Sequence, residues 1–223
     1  MNIVVKLSGS LFKPENFDKL KPFKELFENF HDKGYHLILV AGGGDVARKY
    51  IEFCRKFQVN EGRLDEIGIL ASKLNAKLLA SLLQDKAYSH IPENLKEVSL
   101  ALESNKIVCC GGFHPGHSTN AVAALIAEYI KADLFINATD VDGIYDKDPK
   151  KYRDAKKIKE IRVQELFKML SEDKMIAGSY ELLDLLSLKI LERSKLKAKV
   201  LLCEPKEVER ALLGEDVGTL IIV

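Results

Sequence analysis

The sequence lacks any excess of charge: 34 lysines and arginines stand against 33 aspartates and glutamates, a formal charge of +1. No global field therefore draws the chain to nucleic acid or to an anionic membrane, and small molecules and copies of itself are the expected partners. Long apolar runs are missing as well. The start, MNIVVKLSGSLF, places a lysine inside a short apolar stretch, which is neither a secretory signal nor a span of ~20 apolar residues. A cytoplasmic protein is expected. The four cysteines (Cys54, Cys109, Cys110, Cys203) form no C-x-x-C pattern, and the five histidines fall at no metal-ligand spacing, so buried reduced thiols and no structural metal are expected. Internal repeats, low-complexity segments and linkers are also absent, and the 223 residues read as one domain. The polar stretch DKDPKKYRDAKK, residues 146 to 157, reads as a solvated loop between strands.

What is present is an alternation. Apolar, β-branched runs recur as NIVVKLSG, YHLILVAGGG, KIVCCGG, ADLFINAT, KAKVLLCE and GTLIIV, with weaker candidates at KAYSHI and KKIKEI, six to eight strands in all. Helical patterns lie between them near residues 15–33, 45–57, 63–84, 93–104, 118–131, 163–172, 181–194 and 206–213. Continuous apolar strands alternating with helices imply βαβ crossovers and a mostly parallel sheet buried on both faces. The fold class is α/β.

In such sheets ligands collect outside the carboxyl ends of the strands. Here the loops at those ends are rich in glycine: KLSGS, VAGGGD, CCGGFHPGHST and NATDVDGIYDKDP. Glycine lets several backbone N–H groups turn inward on an anion, and the helix that follows adds its positive end. One such loop also serves an ordinary tight turn; several at one edge favour phosphate. Lys6 adds to this reading, because a cation inside an apolar strand either snorkels out or meets an anion. Phosphoryl transfer needs fixed donors and cations around the phosphate oxygens more than it needs a base, so Lys6 with the Gly9-Ser10 and Gly43-Gly44 amides is a candidate cradle.

Two formal motif matches fail. Gly42-x-Gly44-x-x-Ala47 fits the dinucleotide fingerprint, but it follows the second candidate strand and no further strand ends in an acid about 20 residues on. The acids of DVDGIYDKD suggest calcium, but no register places Gly143 sixth with acids at the first, third and fifth positions. The stretch Gly111 to Gly116 begins like a P-loop, yet His117 stands where that loop has its lysine.

KLSGS, VAGGGDVARKYI, GRLDEIGILASKLNA, GGFHPGHSTNAVAALIAE, NATDVDGIYDKDPKK and GSYELLDLLSLKILERS together resemble the archaeal type of uridylate kinase, in the amino acid kinase superfamily. The resemblance runs nearly end to end, and GGFHPGHST with DVDGIYDKDP is its most specific part. It implies a three-layer αβα sandwich around a mostly parallel sheet of about eight strands, the carbamate kinase-like fold. It further implies transfer of the γ-phosphoryl of ATP to UMP, with Mg²⁺ held mainly through the nucleotide phosphates and no dedicated protein metal site.

By position, Lys6, Gly9 and Ser10 match the loop that meets the ATP phosphates, and Gly44 and Arg48 match further ATP contacts. Gly43 and Asp65 match the UMP side, as does the loop of Phe113, His114, Pro115, Gly116, His117, Ser118 and Thr119. Thr139, Tyr145 and Asp148 match the adenosine and triphosphate side, so the N-terminal part serves mainly UMP and the C-terminal part mainly ATP. Asp65 is expected on the first turn of a helix with an apolar face of Leu64, Ile67, Ala71, Leu74 and Leu78; an acid there also simply favours the helix dipole. Asp140 departs from the asparagine frequent in the family and is expected to organise Lys6 and Lys189 as a catalytic residue. The resemblance also implies a hexamer, a trimer of dimers. Another small-molecule kinase of the superfamily, or a non-catalytic nucleotide- or oxyanion-binding oligomer, are the rival readings.

Overall fold

The computed structural model describes residues 1–147, 149, 151–171 and 183–223. Seven strands form one sheet in the order β3-β2-β1-β4-β8-β9-β7. These are β1 (Asn2–Leu7), β2 (His36–Ala41), β3 (Val108–Cys110), β4 (Leu134–Thr139), β7 (Glu160–Arg162), β8 (Ala198–Leu202) and β9 (Thr219–Ile222). From β3 to β8 the pairing is parallel; β9 runs antiparallel to β8, and β7 parallel to β9. The short strands β5 (Ile144–Tyr145) and β6 (Lys157–Ile158) form a separate antiparallel pair.

Two of the weaker strand candidates resolve differently. KKIKEI splits into β6 and β7, on different sheets. KAYSHI makes only an isolated parallel bridge, Ala87 with Ile107, at the β3 edge, because Ser89 and His90 end its apolar run. Among the described residues the main sheet thus has seven strands, against the expected total of about eight.

Helices cover both faces: α1 (Phe17–Asp32), α2 (Gly44–Arg55), α3 (Glu61–Leu83), α4 (Leu95–Leu102), α5 (Thr119–Tyr129), α6 (Val163–Ser171), α7 (Leu185–Ser194) and α8 (Pro205–Leu212). Strand side chains alternate between the two faces, and in β1, β2 and β4 both faces are buried. Ile3, Val5 and Leu7 pack with Phe23, Phe27 and Phe30 of α1, Leu79 and Leu83 of α3, and Val208 of α8. Val4 packs on the other face with Val122 and Ile126 of α5 and Leu188 and Leu191 of α7. Each such large apolar side chain contributes ~1.5–3 kcal/mol when fully buried. The same alternation turns Lys6 toward the α5 face, at the carboxyl end of β1, which lies inside the sheet between β2 and β4.

Side chains cap several helices where the sequence supplies them. Asn60 accepts from the Arg63 N–H, Asn94 from Glu97, Ser118 from Asn120 and Ala121, and Asp184 from Ser187. No helix among the described residues is long and apolar enough to cross a membrane.

Candidate active site at the carboxyl edge of the sheet

The turns after β1 and β2 meet backbone to backbone. A Cβ on Gly9 would lie 2.2 Å from the Gly44 nitrogen, and one on Gly44 would lie 2.3 Å from the Gly9 carbonyl oxygen. Gly44 also has φ +65°, a conformation glycine adopts readily and side chains resist. Asn75, buried on α3, donates to the carbonyl oxygens of Gly42 at 2.7 Å and Gly43 at 3.3 Å, which fixes this turn from behind. The two glycine turns therefore make one rigid rim.

Two cavities open along that rim. The larger, about 420 Å³, is lined by Lys6, Ser8, Gly9, Ser10, Gly42, Gly116, Asn120, Thr139, Asp140 and Asp184. The smaller, about 250 Å³, is lined by Ala47, Ile51, Asp65, Gly68, Ile69, Ser72, Gly112 and His117. Gly43, Gly44, Arg48, Ser118 and Thr119 line both, so the two form one groove with a shared waist.

Lys6 is 7 % exposed at the base of the larger cavity, its strand neighbours being Val40 and Asn137. Asp140 accepts from the hydroxyls of Ser8, at 2.8 Å, and Ser10. Arg48 donates to Asp45 at 2.5 Å, and Asp45 also meets Lys13 at 2.9 Å. The hydrogen bond from Lys13, reinforced by that from Arg48, holds the Asp45 carboxyl below the usual range. Asp65 accepts the Gly116 N–H at 2.7 Å, which clasps the 113–119 loop to α3. Deeper in the smaller cavity, buried Ser72 accepts from the Gly112 N–H and donates to the Ile69 carbonyl, both at 2.7 Å.

A profile of the amino acid kinase family matches residues 1–201 of the chain. The chain belongs to the amino acid kinase family. Among curated relatives it is 44% identical to the uridylate kinase of Methanococcus aeolicus and 45% identical to that of Sulfurisphaera tokodaii, each over 99% of both chains. Among solved structures it matches the uridylate kinase of Archaeoglobus fulgidus with a TM-score of 0.90 and 40% identity, over 99% of this chain and 100% of that one.

Against this family background, most of the expected residues fall on the groove, including Lys6, Gly9, Ser10, Gly43, Gly44, Arg48, Thr139 and Asp140 at or beside the larger cavity, and Asp65 and His117 at the smaller. Others stand apart. Phe113 is packed into the core on the α5 face, while His114 and Pro115 are exposed and line neither cavity. Tyr145 lines neither cavity and donates to Asp142 at 2.7 Å; that bond, with burial, pushes its phenol up to about 12. Asp148 lies outside the described residues. Lys189 is exposed on α7 with its ammonium over the Phe167 ring at 6.0 Å, so the serine hydroxyls, and not Lys189, are the partners of Asp140.

Two further corrections concern α3. The helix begins at Glu61, one turn before Asp65, so the Asp65 carboxylate binds the loop amide and does not serve as a first-turn acid. Its buried face runs through Leu64, Ala71, Ser72, Asn75, Ala76, Leu79 and Leu83, whereas Leu74 is 62% exposed. The reason is the glycine loop: a Cβ on Gly111 would sit 2.6 Å from the Lys73 nitrogen, so the approach excludes large side chains.

Ser8, Ser72, Asn120 and Asp184 are site residues that sequence reasoning missed. Ser8 and Asp184 carry a local signal as cap residues; their contacts across the fold carry none.

Proposed function

We propose that this chain is a UMP kinase, transferring the γ-phosphoryl group of ATP to UMP to give UDP and ADP, a step of pyrimidine nucleotide synthesis in the cytoplasm. The observation that carries this reading is the pair of cavities joined at one waist, with Lys6 beneath the larger and Asp65 beside the smaller. The full-length identity to uridylate kinases supports the choice of acceptor.

In this reading ATP lays its phosphates over the Gly9 and Gly44 turns, and UMP occupies the smaller cavity with its phosphate at the waist. The attacking oxygen belongs to a phosphate monoester already ionised at neutral pH, so no general base is needed. Lys6 stabilises charge on the moving phosphoryl group from below, and Arg48 and the loop amides at the waist hold donor and acceptor in line. Asp140 orients the Ser8 and Ser10 hydroxyls, fixing the turn that Gly9 occupies. Thr139 and the β5–β6 pair with Tyr145 belong to the adenosine and triphosphate side, to which the resemblance also assigns Asp148.

No group of three or more His, Cys, Asp or Glu is gathered for a metal ion among the described residues. Asp140 already accepts from two hydroxyls, so this donor set fits a cation carried in on phosphate oxygens. Mg²⁺ so bound would neutralise phosphate charge. We also propose a homohexamer built from dimers. Its support is the exposed apolar surface of α2 and α3, with Tyr50 60%, Phe53 59%, Leu70 65% and Leu74 62% exposed.

The test is ADP formation from ATP with UMP, CMP, dCMP, acetylglutamate, carbamate and isopentenyl phosphate as acceptors. UMP should be strongly preferred; turnover with none of them would overturn the reading. Lys6→Ala should lower kcat by about 10²–10³-fold while UMP binding changes little. Near wild-type turnover would remove Lys6 from the mechanism.

A further inference from the structure

Asp184 lies in the stretch GSYELLDLLSLKILERS but has no role assigned above; it lines the larger cavity, and its two oxygens have separate tasks. Oδ1 accepts the Ser187 N–H at 2.7 Å and caps α7. Oδ2 accepts the hydroxyl proton of Ser118, 66 residues away.

Ser118 is in turn the cap of α5. Its Oγ accepts from the N–H groups of Asn120 at 3.1 Å and Ala121 at 3.0 Å, and its carbonyl accepts from Val122 at 3.0 Å. A hydroxyl has two lone pairs and one proton, so Ser118 is fully committed: two amides in, one proton out to Asp184. The first helical N–H groups have no partner within their own helix. Ser118 takes those of Asn120 and Ala121, which leaves the Thr119 N–H at the waist that Thr119 helps to line.

We infer that Asp184 is a positioning residue for the acceptor: by holding the Ser118 proton it fixes the start of α5, so that the Thr119 N–H is aimed at the acceptor phosphate. This rests on the reading of residues 113–119 as the UMP loop. A cap for α7 needs only one carboxylate oxygen, and a serine cap can give its proton to water. A negative charge at the wall of a polyanion cavity also opposes the substrates. Commitment of that charge to the Ser118 proton accounts for its presence there. It also ties α7 to the acceptor loop.

The test uses Asp184→Asn, Ser118→Ala and the double variant, with KM for each substrate, kcat and Tm measured. Asparagine caps helices as well as aspartate does, so Tm should hold. Its NH₂ would face a hydroxyl oxygen whose lone pairs are already taken, so the UMP KM should rise about tenfold, with the ATP KM within about twofold and kcat changing less. Ser118→Ala should also raise the UMP KM, and adding Asp184→Asn to it should change nothing more, because Asp184 acts through that hydroxyl.

If Asp184→Asn leaves the UMP KM unchanged while Ser118→Ala raises it, the role of Asp184 is refuted and the loop reading stands. Multiplying effects in the double variant would place Asp184 in a separate task and overturn the inference. A fall in Tm with no selective change in UMP KM would leave Asp184 a helix cap only. If neither variant moves the UMP KM, the acceptor-loop reading falls and this inference falls with it.

Discussion

The rim of the groove and the 112–119 segment are held in place by different means. At the rim, Gly9 and Gly44 touch backbone to backbone, and the shape admits no Cβ. The segment instead hangs on side chains of helices, with the Gly112 N–H on Ser72, the Gly116 N–H on Asp65 and the Ser118 hydroxyl on Asp184. A surface that must meet the phosphates of any ATP in one way can be built from backbone alone. A loop that must recognise one acceptor gains from side-chain holds that can differ between related kinases. The rim should therefore fail through sterics, and the loop through hydrogen-bond chemistry.

The largest effect is expected at the rim. Gly9→Ala puts a methyl 2.2 Å from the Gly44 nitrogen and 3.1 Å from the Gly42 carbonyl carbon, both of them backbone atoms that move only with the turn. Overpacking of this kind costs ~1–3 kcal/mol or more, and the displaced turn should abolish most activity. Gly34→Ala is the control: Gly34 has φ +85° but open space around it, so only backbone strain of ~1–2 kcal/mol should appear, with kcat intact. Equal effects of the two on kcat, read by steady-state assay and thermal melts, would deny the rim its special status.

On the side proposed for the acceptor, Asp65→Asn should give an intermediate effect. Its bond to the Gly116 N–H can persist through the amide oxygen, but charge assistance is lost, and so is an acceptor for the acceptor nucleotide. A rise of about tenfold in the UMP KM, with the ATP KM little changed, is expected. An equal rise in both would mean that α3 holds the whole groove and not the acceptor end.

The difference between rim and loop also explains what was legible in the sequence. Lys6 stands out as a charge inside an apolar strand, and the glycine turns stand out by composition, because both are consequences of local sequence. The parallel sheet follows from continuous apolar strands alternating with helices. The loop's holds are tertiary: Asp184 and Ser118 are 66 residues apart, and nothing near either one announces the other. The buried face of α3 departs from its apolar periodicity for a related reason. Apolar periodicity favours Leu74, but the helix must approach Gly111 closely, and the small or polar Ala71, Ser72 and Asn75 are buried instead. Packing against a glycine loop reverses the usual meaning of a leucine stripe.

The smallest expected effect lies beyond both regions, at the β5–β6 pair. Tyr145 donates to Asp142, which also meets Lys157 at 3.1 Å. Burial works against the charged Asp142, but the bonds from Tyr145 and Lys157 keep its carboxyl below the usual range. The Tyr145 phenol is in turn raised to about 12. A phenol whose folded pKa lies above its ordinary value of about 10 favours the folded state in its protonated form. That stabilisation is fully present below about pH 10 and is lost as pH rises toward 12. Tyr145→Phe should therefore melt lower than the parent at neutral pH by the equivalent of about 1 kcal/mol. The gap between the two should stay constant up to about pH 10 and narrow above it, in parallel melts followed by circular dichroism. Should the gap remain constant through that window, the phenol is not coupled to Asp142, and the pair is held by Thr219, whose hydroxyl bonds the Ile144 N–H and the Ile158 carbonyl.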